Sequence, residues 1–217
     1  MDVIYGCVWC DSQYACMAEE KDKLPYQEMT ITDIITECEK YPTNNITLTG
    51  GEPLIHPDVK YLIQALCDVG YDVNVETNGS VDISKYFNEN GYVLNKYNNN
   101  LWFTVDYKCP SSGMSIRMLE NNFNVYKNKY RNIVYKFVVG SIEDLNKANE
   151  IITEYIIPGS LKYNCSNYVY LSPVFGEIEP KDIVTYMQKN NMFDKKVPIR
   201  VQLQLHKIIW PVNQRGV

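Results

Sequence analysis

The sequence predicts an α/β fold built on a mostly parallel sheet, and three observations carry that reading. Short β-rich runs alternate with amphipathic helical patterns along the chain. The helical stretches between runs supply the crossovers that parallel strands require. No repeat, low-complexity tract or long linker interrupts the series, so residues 1–217 read as one domain. In order, "VIY" (3–5) is a candidate first strand and "NITLT" (45–49) the first full one. A helix from Pro57 to Val69 follows, with Val59, Leu62, Ile63 and Leu66 on one face. "YDVNVE" (71–76) and "LWFTVD" (101–106) are strands closed by turn signals. After "NIVYKFVV" (132–139), Ser141 and Asp144 make a capping-box-like start for a helix to about Tyr155. "YVYLS" (168–172), a helix after Pro180 and "IRVQLQ" (199–204) complete the series. Parallel sheets bind ligands at the carboxyl ends of their strands, which fixes where chemistry is expected.

Composition narrows the function classes. Hydrophobic residues make up 45% and charged residues 22%, near globular averages, against disorder and against a coiled coil. No apolar run approaches a membrane span and no secretion signal opens the chain, so a cytoplasmic protein without a membrane partner is expected. A formal charge of −5 argues against nucleic acid as a partner. Cys38, Cys67 and Cys165, three of seven cysteines, read as reduced, semi-buried thiols.

The strand-end loops are rich in chemistry-bearing residues. "TGGEP" (49–53) offers two glycines for close backbone approach and a carboxylate that can grip an ammonium group. "ETNGS" (76–80), "DYKCPSSGM" (106–114) and "SPVFGE" (172–177) follow later strands. Singly, each reads equally well as a turn; together they fall at one end of one sheet. "CVWCD" (7–11) sits where the first strand would end, and thiolates there can bind zinc, bind an iron–sulfur cluster or exchange disulfides. Zinc wants four ligands and no second CxxC exists, with His56 and His206 isolated. A thioredoxin-like site has no use for GGEP, whereas a cluster with one iron open to a small-molecule chelate uses both motifs.

CxxC with an aromatic before its second cysteine, followed by a strand ending in GGEP, resembles the radical S-adenosylmethionine superfamily. The fuller set "CVWCDSQYA", "TLTGGEPL", "VETNG", "DYKCPSSGM", "YLSPVFGEIEP" and the tail "RVQLQLHKIIWP" to "RGV" resembles its 7-carboxy-7-deazaguanine synthase family, in order from Cys7 to Val217. The resemblance implies a shortened, partial (β/α) barrel. It implies a lyase of queuosine biosynthesis, a tRNA modification pathway. In that activity a 4Fe-4S cluster splits S-adenosylmethionine, and the resulting radical turns 6-carboxy-5,6,7,8-tetrahydropterin into 7-carboxy-7-deazaguanine and ammonia. It also implies Mg²⁺, a flavodoxin-type electron donor and a homodimer. Carried over by position, Cys7 and Cys10 hold the cluster, and Trp9, Cys10 and Asp11 lie along S-adenosylmethionine. Gly50, Gly51 and Glu52, then Asp106, Tyr107 and Lys108, then Ser172, Pro173, Val174 and Phe175 line the same cofactor. Ser12 holds Mg²⁺; Thr49, Thr77, Asn78 and the Val217 carboxylate face the pterin. No side chain is assigned as the catalytic group, because cofactor and cluster carry the radical chemistry.

The sequence departs from the family in one place that matters. The family supplies three cysteines as C-x3-C-x2-C or with a longer first gap, and position 3 here is valine. One family-position ligand is therefore absent, and Cys16 is the nearby replacement. The family's amino-terminal strand and substrate-gripping segment have no counterpart either. A protein of strictly this sequence is expected to bind iron substoichiometrically. The rival expectations are a radical activase acting on a protein partner, and a degenerate module that binds S-adenosylmethionine or metal without turnover.

Overall fold

The computed structural model describes residues 6–10, 27–86, 97, 99–124, 133–163, 167–194, 196–211 and 214. The strand expected at 3–5 lies outside them. Helix α1 (Ile31–Cys38) opens the described fold after a Thr30 cap whose side chain accepts from the Asp33 amide. Then come β1 (Asn45–Leu48), α2 (Val59–Asp68), β2 (Asp72–Thr77), β3 (Leu101–Lys108) and β4 (Ile133–Val139). They are followed by α3 (Ile142–Ile151), α4 (Ile157–Tyr163), β5 (Tyr168–Pro173), α5 (Pro180–Lys189), β6 (Ile199–Val201) and α6 (His206–Ile209). All six strands pair in parallel, in the order β1-β2-β3-β4-β5-β6. β1 does not pair with β6, so the sheet is an open, partial barrel.

Several boundaries differ from the sequence reading for identifiable reasons. β2 starts at Asp72 because the Tyr71 amide closes the preceding turn on the Leu66 carbonyl. β3 runs on to Lys108 because β4 is long enough to pair it, with Lys108 opposite Val138. β6 ends at Val201; the Gln202 amide makes one more bond to the Leu171 carbonyl before the chain turns toward α6. The helix expected to end near Tyr155 continues. Ile152–Ile156 widen into a π-turn in which the Ile157 amide bonds the Ile152 carbonyl, and α4 follows. Pro158 explains the widening: it has no N–H to give and its ring crowds the carbonyl four residues back.

Strand alternation sorts the sheet into two unlike faces. On one, Val73, Val75, Leu101, Phe103, Val105, Tyr135, Phe137, Val139, Val169 and Leu171 are fully buried. Ile63 and Leu66 of α2, Leu145 and Ala148 of α3 and Ile183 and Met187 of α5 cover them. Phe123 fills the centre, 5.0 Å from the Tyr107 ring and 5.7 Å from that of Tyr135. Each such enclosed aromatic contributes on the order of 2–3 kcal/mol from apolar area alone. On the other face, register neighbours are polar: Glu76 beside Thr104, then Asp106 beside Lys136.

Asn122 ties the loop after β2 to this scaffold. It is fully buried, its amide nitrogen donates to the Gly79 and Val81 carbonyls at 2.9 Å, and its oxygen accepts from the Ile83 amide at 3.0 Å. Asn122→Ala leaves three backbone groups without that partner and should cost about 3 kcal/mol, on a scale of about 1–3 kcal/mol for each unsatisfied buried group. Thermal unfolding checks this; a melting temperature within a degree of wild type would show that water replaces the amide.

Candidate active site

The carboxyl ends of the strands form one continuous rim. After β1, Thr49, Gly50 and Gly51 are exposed, and Gly50 has φ +149 with no atom within 4 Å of where a Cβ would stand. That is an open backbone ledge which a side chain would both strain and fill. Glu52 turns back from the ledge into the protein. Its carboxylate accepts from the Leu54 amide at 3.0 Å, the Thr77 hydroxyl at 2.9 Å and the Asn78 amide at 2.7 Å. The Thr77 hydroxyl lies 2.9 Å from both oxygens, so each oxygen has two partners within the protein. Thr77 itself is buried, and its hydroxyl is committed to Glu52.

Gly79 hands the rim on to β3. It has φ +77, and a Cβ there would lie 2.8 Å from the Asp106 carbonyl oxygen, so only glycine lets the two backbones approach. Asp106 and Lys108 share the polar face. Lys108 Nζ sits 2.9 Å and Lys136 Nζ 3.8 Å from the Asp106 carboxylate. Burial works to lower the Lys108 pKa, but Asp106 and the neighbouring Cys7 outweigh it and the ammonium is held above its usual range. Tyr107 alternates to the opposite face, where its ring packs on Phe123 and Phe137, so its backbone is what a rim ligand can reach.

The cysteine turn lies against this part of the rim. The Cys10 amide bonds the Cys7 carbonyl at 3.1 Å, closing a tight turn over Val8 and Trp9. Both thiols are half-buried and free. Burial pushes the Cys7 thiol up, with the Lys108 ammonium opposing. Val8 N donates to the Ser112 carbonyl at 3.1 Å, and Trp9 Nε1 approaches Ser111 Oγ at 3.4 Å. At the end of β5, Ser172 and Pro173 are buried, as is Val174 just beyond it; the Val174 amide bonds the Val139 carbonyl at 2.8 Å, and Phe175 is exposed beneath Lys207.

The sequence-expected residues thus gather at one end of the sheet, except those outside the described residues: Asp11, Ser12, Cys16 and Val217. Lys136, Asn122 and Asp144 were missed. A lysine alternating with apolar neighbours in "VYKFVV" was the available signal for the first; nothing in the sequence marks the other two as rim supports.

Comparison with known proteins follows from this geometry. Residues 4–160 match the Radical SAM superfamily. The chain is 40% identical over 213 residues to the 7-carboxy-7-deazaguanine synthase of Clostridium acetobutylicum, covering 98% of this chain and 85% of that one. It is 32% identical to the protein of the same name from Chlorobaculum tepidum, over 98% and 84% of the two chains. Streptococcus suis SuiB bound to S-adenosylmethionine superposes with a TM-score of 0.57 at 10% identity. That match covers 90% of this chain and 44% of SuiB, and is a likeness of fold alone. Fold and rim together define a radical S-adenosylmethionine domain. Within that superfamily the chain belongs to the 7-carboxy-7-deazaguanine synthase family. It is an enzyme of that type, and the activase alternative is not favoured.

Membership implies a 4Fe-4S cluster and S-adenosylmethionine. The residues present fit: two soft thiol donors from one turn, beside a retained ammonium, suit an iron–sulfur cluster. Among the described residues no group of three or more His, Cys, Asp or Glu gathers to hold a metal, so a third ligand is not among them.

Glu52 yields a prediction in the ligand-free protein. Glu52→Gln replaces one acceptor oxygen with an NH₂ group facing N–H donors. Losing a charge-assisted bond costs about 1.5–3 kcal/mol, which lowers the melting temperature by roughly 3–10 °C at this chain length. An unchanged melting temperature with selectively weakened S-adenosylmethionine binding would assign the carboxylate wholly to the ligand.

Proposed function

We propose that this chain is a radical lyase converting 6-carboxy-5,6,7,8-tetrahydropterin into 7-carboxy-7-deazaguanine with release of ammonia. The observation that carries this reading is the Cys7–Cys10 turn lying against Lys108 at the rim that GGEP opens, in a chain 40% identical to a synthase of that name. When bound, the cluster supplies the electron that cleaves S-adenosylmethionine. Cys7 and Cys10 would hold it, with Cys16 the nearby candidate for a third thiolate. The Gly50–Gly51 ledge, with the Glu52 carboxylate beside it, would take the methionine end of S-adenosylmethionine. Asp106, Lys108 and Ser172 to Phe175 would flank the rest, with Tyr107 contributing backbone. Thr49, Asn78 and the Val217 carboxylate would orient the pterin, with Thr77 acting through Glu52. Mg²⁺ held by Ser12, a flavodoxin-type donor, a homodimer and a cytoplasmic location belong to the same proposal. Among the described residues no helix is long and apolar enough to cross a membrane.

Anaerobic reconstitution tests the reading. Iron and sulfide uptake below one cluster per chain, with slow 5′-deoxyadenosine release and slow deazaguanine formation from the carboxypterin, is the expected result. Cys16→Ala should lower the iron bound per chain. A zinc-loaded, iron-free protein that never cleaves S-adenosylmethionine would sink the proposal, and a Cys16→Ala variant with undiminished iron would place the third ligand elsewhere.

Ser12→Ala should blunt the response to Mg²⁺ while iron content stays at the wild-type level. Mg²⁺ demands octahedral oxygen coordination and loses one neutral ligand. A superimposable Mg²⁺ titration would remove Ser12 from the metal site.

A further inference from the structure

We infer that the loop from Cys109 to Gly113 is the dock that fixes the Cys7–Cys10 turn, and that Asp144 is the positioning residue that holds the dock. The inference rests on reading Cys7 and Cys10 as cluster ligands.

The turn is attached to the fold across about a hundred residues of sequence. The Val8 amide bonds the Ser112 carbonyl at 3.1 Å. A Cβ on Gly113, which has φ +72, would touch Val8 Cγ2 at 3.4 Å, so the two segments lie in van der Waals contact. The Trp9 indole reaches Ser111 Oγ at 3.4 Å, long for a hydrogen bond, so the Val8 bond and the packing carry most of the attachment.

The dock is in turn held from beneath. Ser112 is buried; its hydroxyl donates to the Cys109 carbonyl at 2.6 Å and accepts from the Met114 amide at 3.0 Å. Asp144, the third residue of α3, is fully buried, and its carboxylate accepts from the Ser111 amide at 2.9 Å, the Ser111 hydroxyl and the Gly140 amide at 2.7 Å. A carboxylate out of water is costly unless charge-assisted hydrogen bonds replace its hydration. Capping the helix does not explain that cost: Ser141 Oγ already accepts from the Asp144 amide, which needs no acid at 144. What the carboxylate adds is its grip on Ser111. It also sets the polarity of the hydroxyl, whose one hydrogen goes to Asp144 and whose lone pairs are left for the Trp9 indole.

Thiol alkylation of the ligand-free protein tests this. Under anaerobic, reducing conditions, iodoacetamide labelling at Cys7 and Cys10 is followed by mass spectrometry, with Cys38 on α1 as internal reference. Ser111→Ala should speed labelling of Cys7 and Cys10 about two- to tenfold, the scale of one lost hydrogen bond. Asp144→Asn should do so at least as strongly, Cys38 should be unaffected, and Ser111→Thr, which keeps the hydroxyl, should restore the wild-type rate. Trp9→Phe should add nothing to Ser111→Ala. Rates equal to wild type in Ser111→Ala, or equal acceleration of Cys38, would overturn the inference. After reconstitution, bound iron per chain should fall in the same order as the labelling rates rise. Full iron occupancy in a fast-labelling variant would overturn the positioning role alone, whereas a wild-type protein that takes up no iron would overturn the cluster reading and the inference with it.

Discussion

Parallel sheets are ordinarily covered on both faces, so their strands read as continuous apolar runs; among the described residues, helices cover the six strands here on one face. Across β3, β4, β5 and β6 one register row reads Asp106, Lys136, Tyr170, Arg200, and the row beside it Val105, Tyr135, Val169, Ile199. The second row is core. The first is polar, half-buried at Asp106, Lys136 and Tyr170 and exposed at Arg200, and its half-buried charges are tolerable where opposite charges meet. Asp106 between Lys108 and Lys136 is the resident solution.

Three acidic or amide side chains then do for the rim what regular hydrogen bonding does for the strands. Loops at the carboxyl ends cannot satisfy their own backbone groups, so partners must come from elsewhere. Glu52 joins the β1 and β2 loops, Asn122 holds the β2 loop from below, and Asp144 holds the loop after β3 against the β4–α3 junction. Each takes backbone groups from a segment distant in sequence. The rim is thereby ordered by the protein's own bonds, which lowers the entropy a ligand must remove on binding.

Much of this was legible because strand alternation and turn chemistry are local. The six strands after the cysteine turn and the rim motifs GGEP, ETNG and DYK were all visible, and so was their common end of the sheet. Asp144 shows where local reading stops. Its spacing from Ser141 signals a capping box, and the helix does begin there, but the carboxylate turns outward to Ser111 and Gly140 instead of back to the Ser141 amide. Gly140 is four residues back, but Ser111 is 33 positions away and beyond the reach of a local reading. Tyr107 was carried over with Asp106 and Lys108 from the family resemblance; alternation sends its ring to the core and leaves its backbone at the rim. The helix expected to end near Tyr155 instead widens into a π-turn and continues, with Ile152 and Ile156 fully buried.

The charge around the cysteine turn bears on how such a site loads. The chain carries a formal −5, but Lys108 and Lys136 surround a single carboxylate beside Cys7. Burial holds the Cys7 thiol protonated in the metal-free protein despite Lys108. A metal that takes the sulfur must therefore displace its proton, so binding releases protons and tightens as pH rises. Lys108 keeps its own charge through that change, because Asp106 and the cysteines both favour the ammonium. A Cys7 thiol that gave up its proton would thus face an ammonium that keeps its charge.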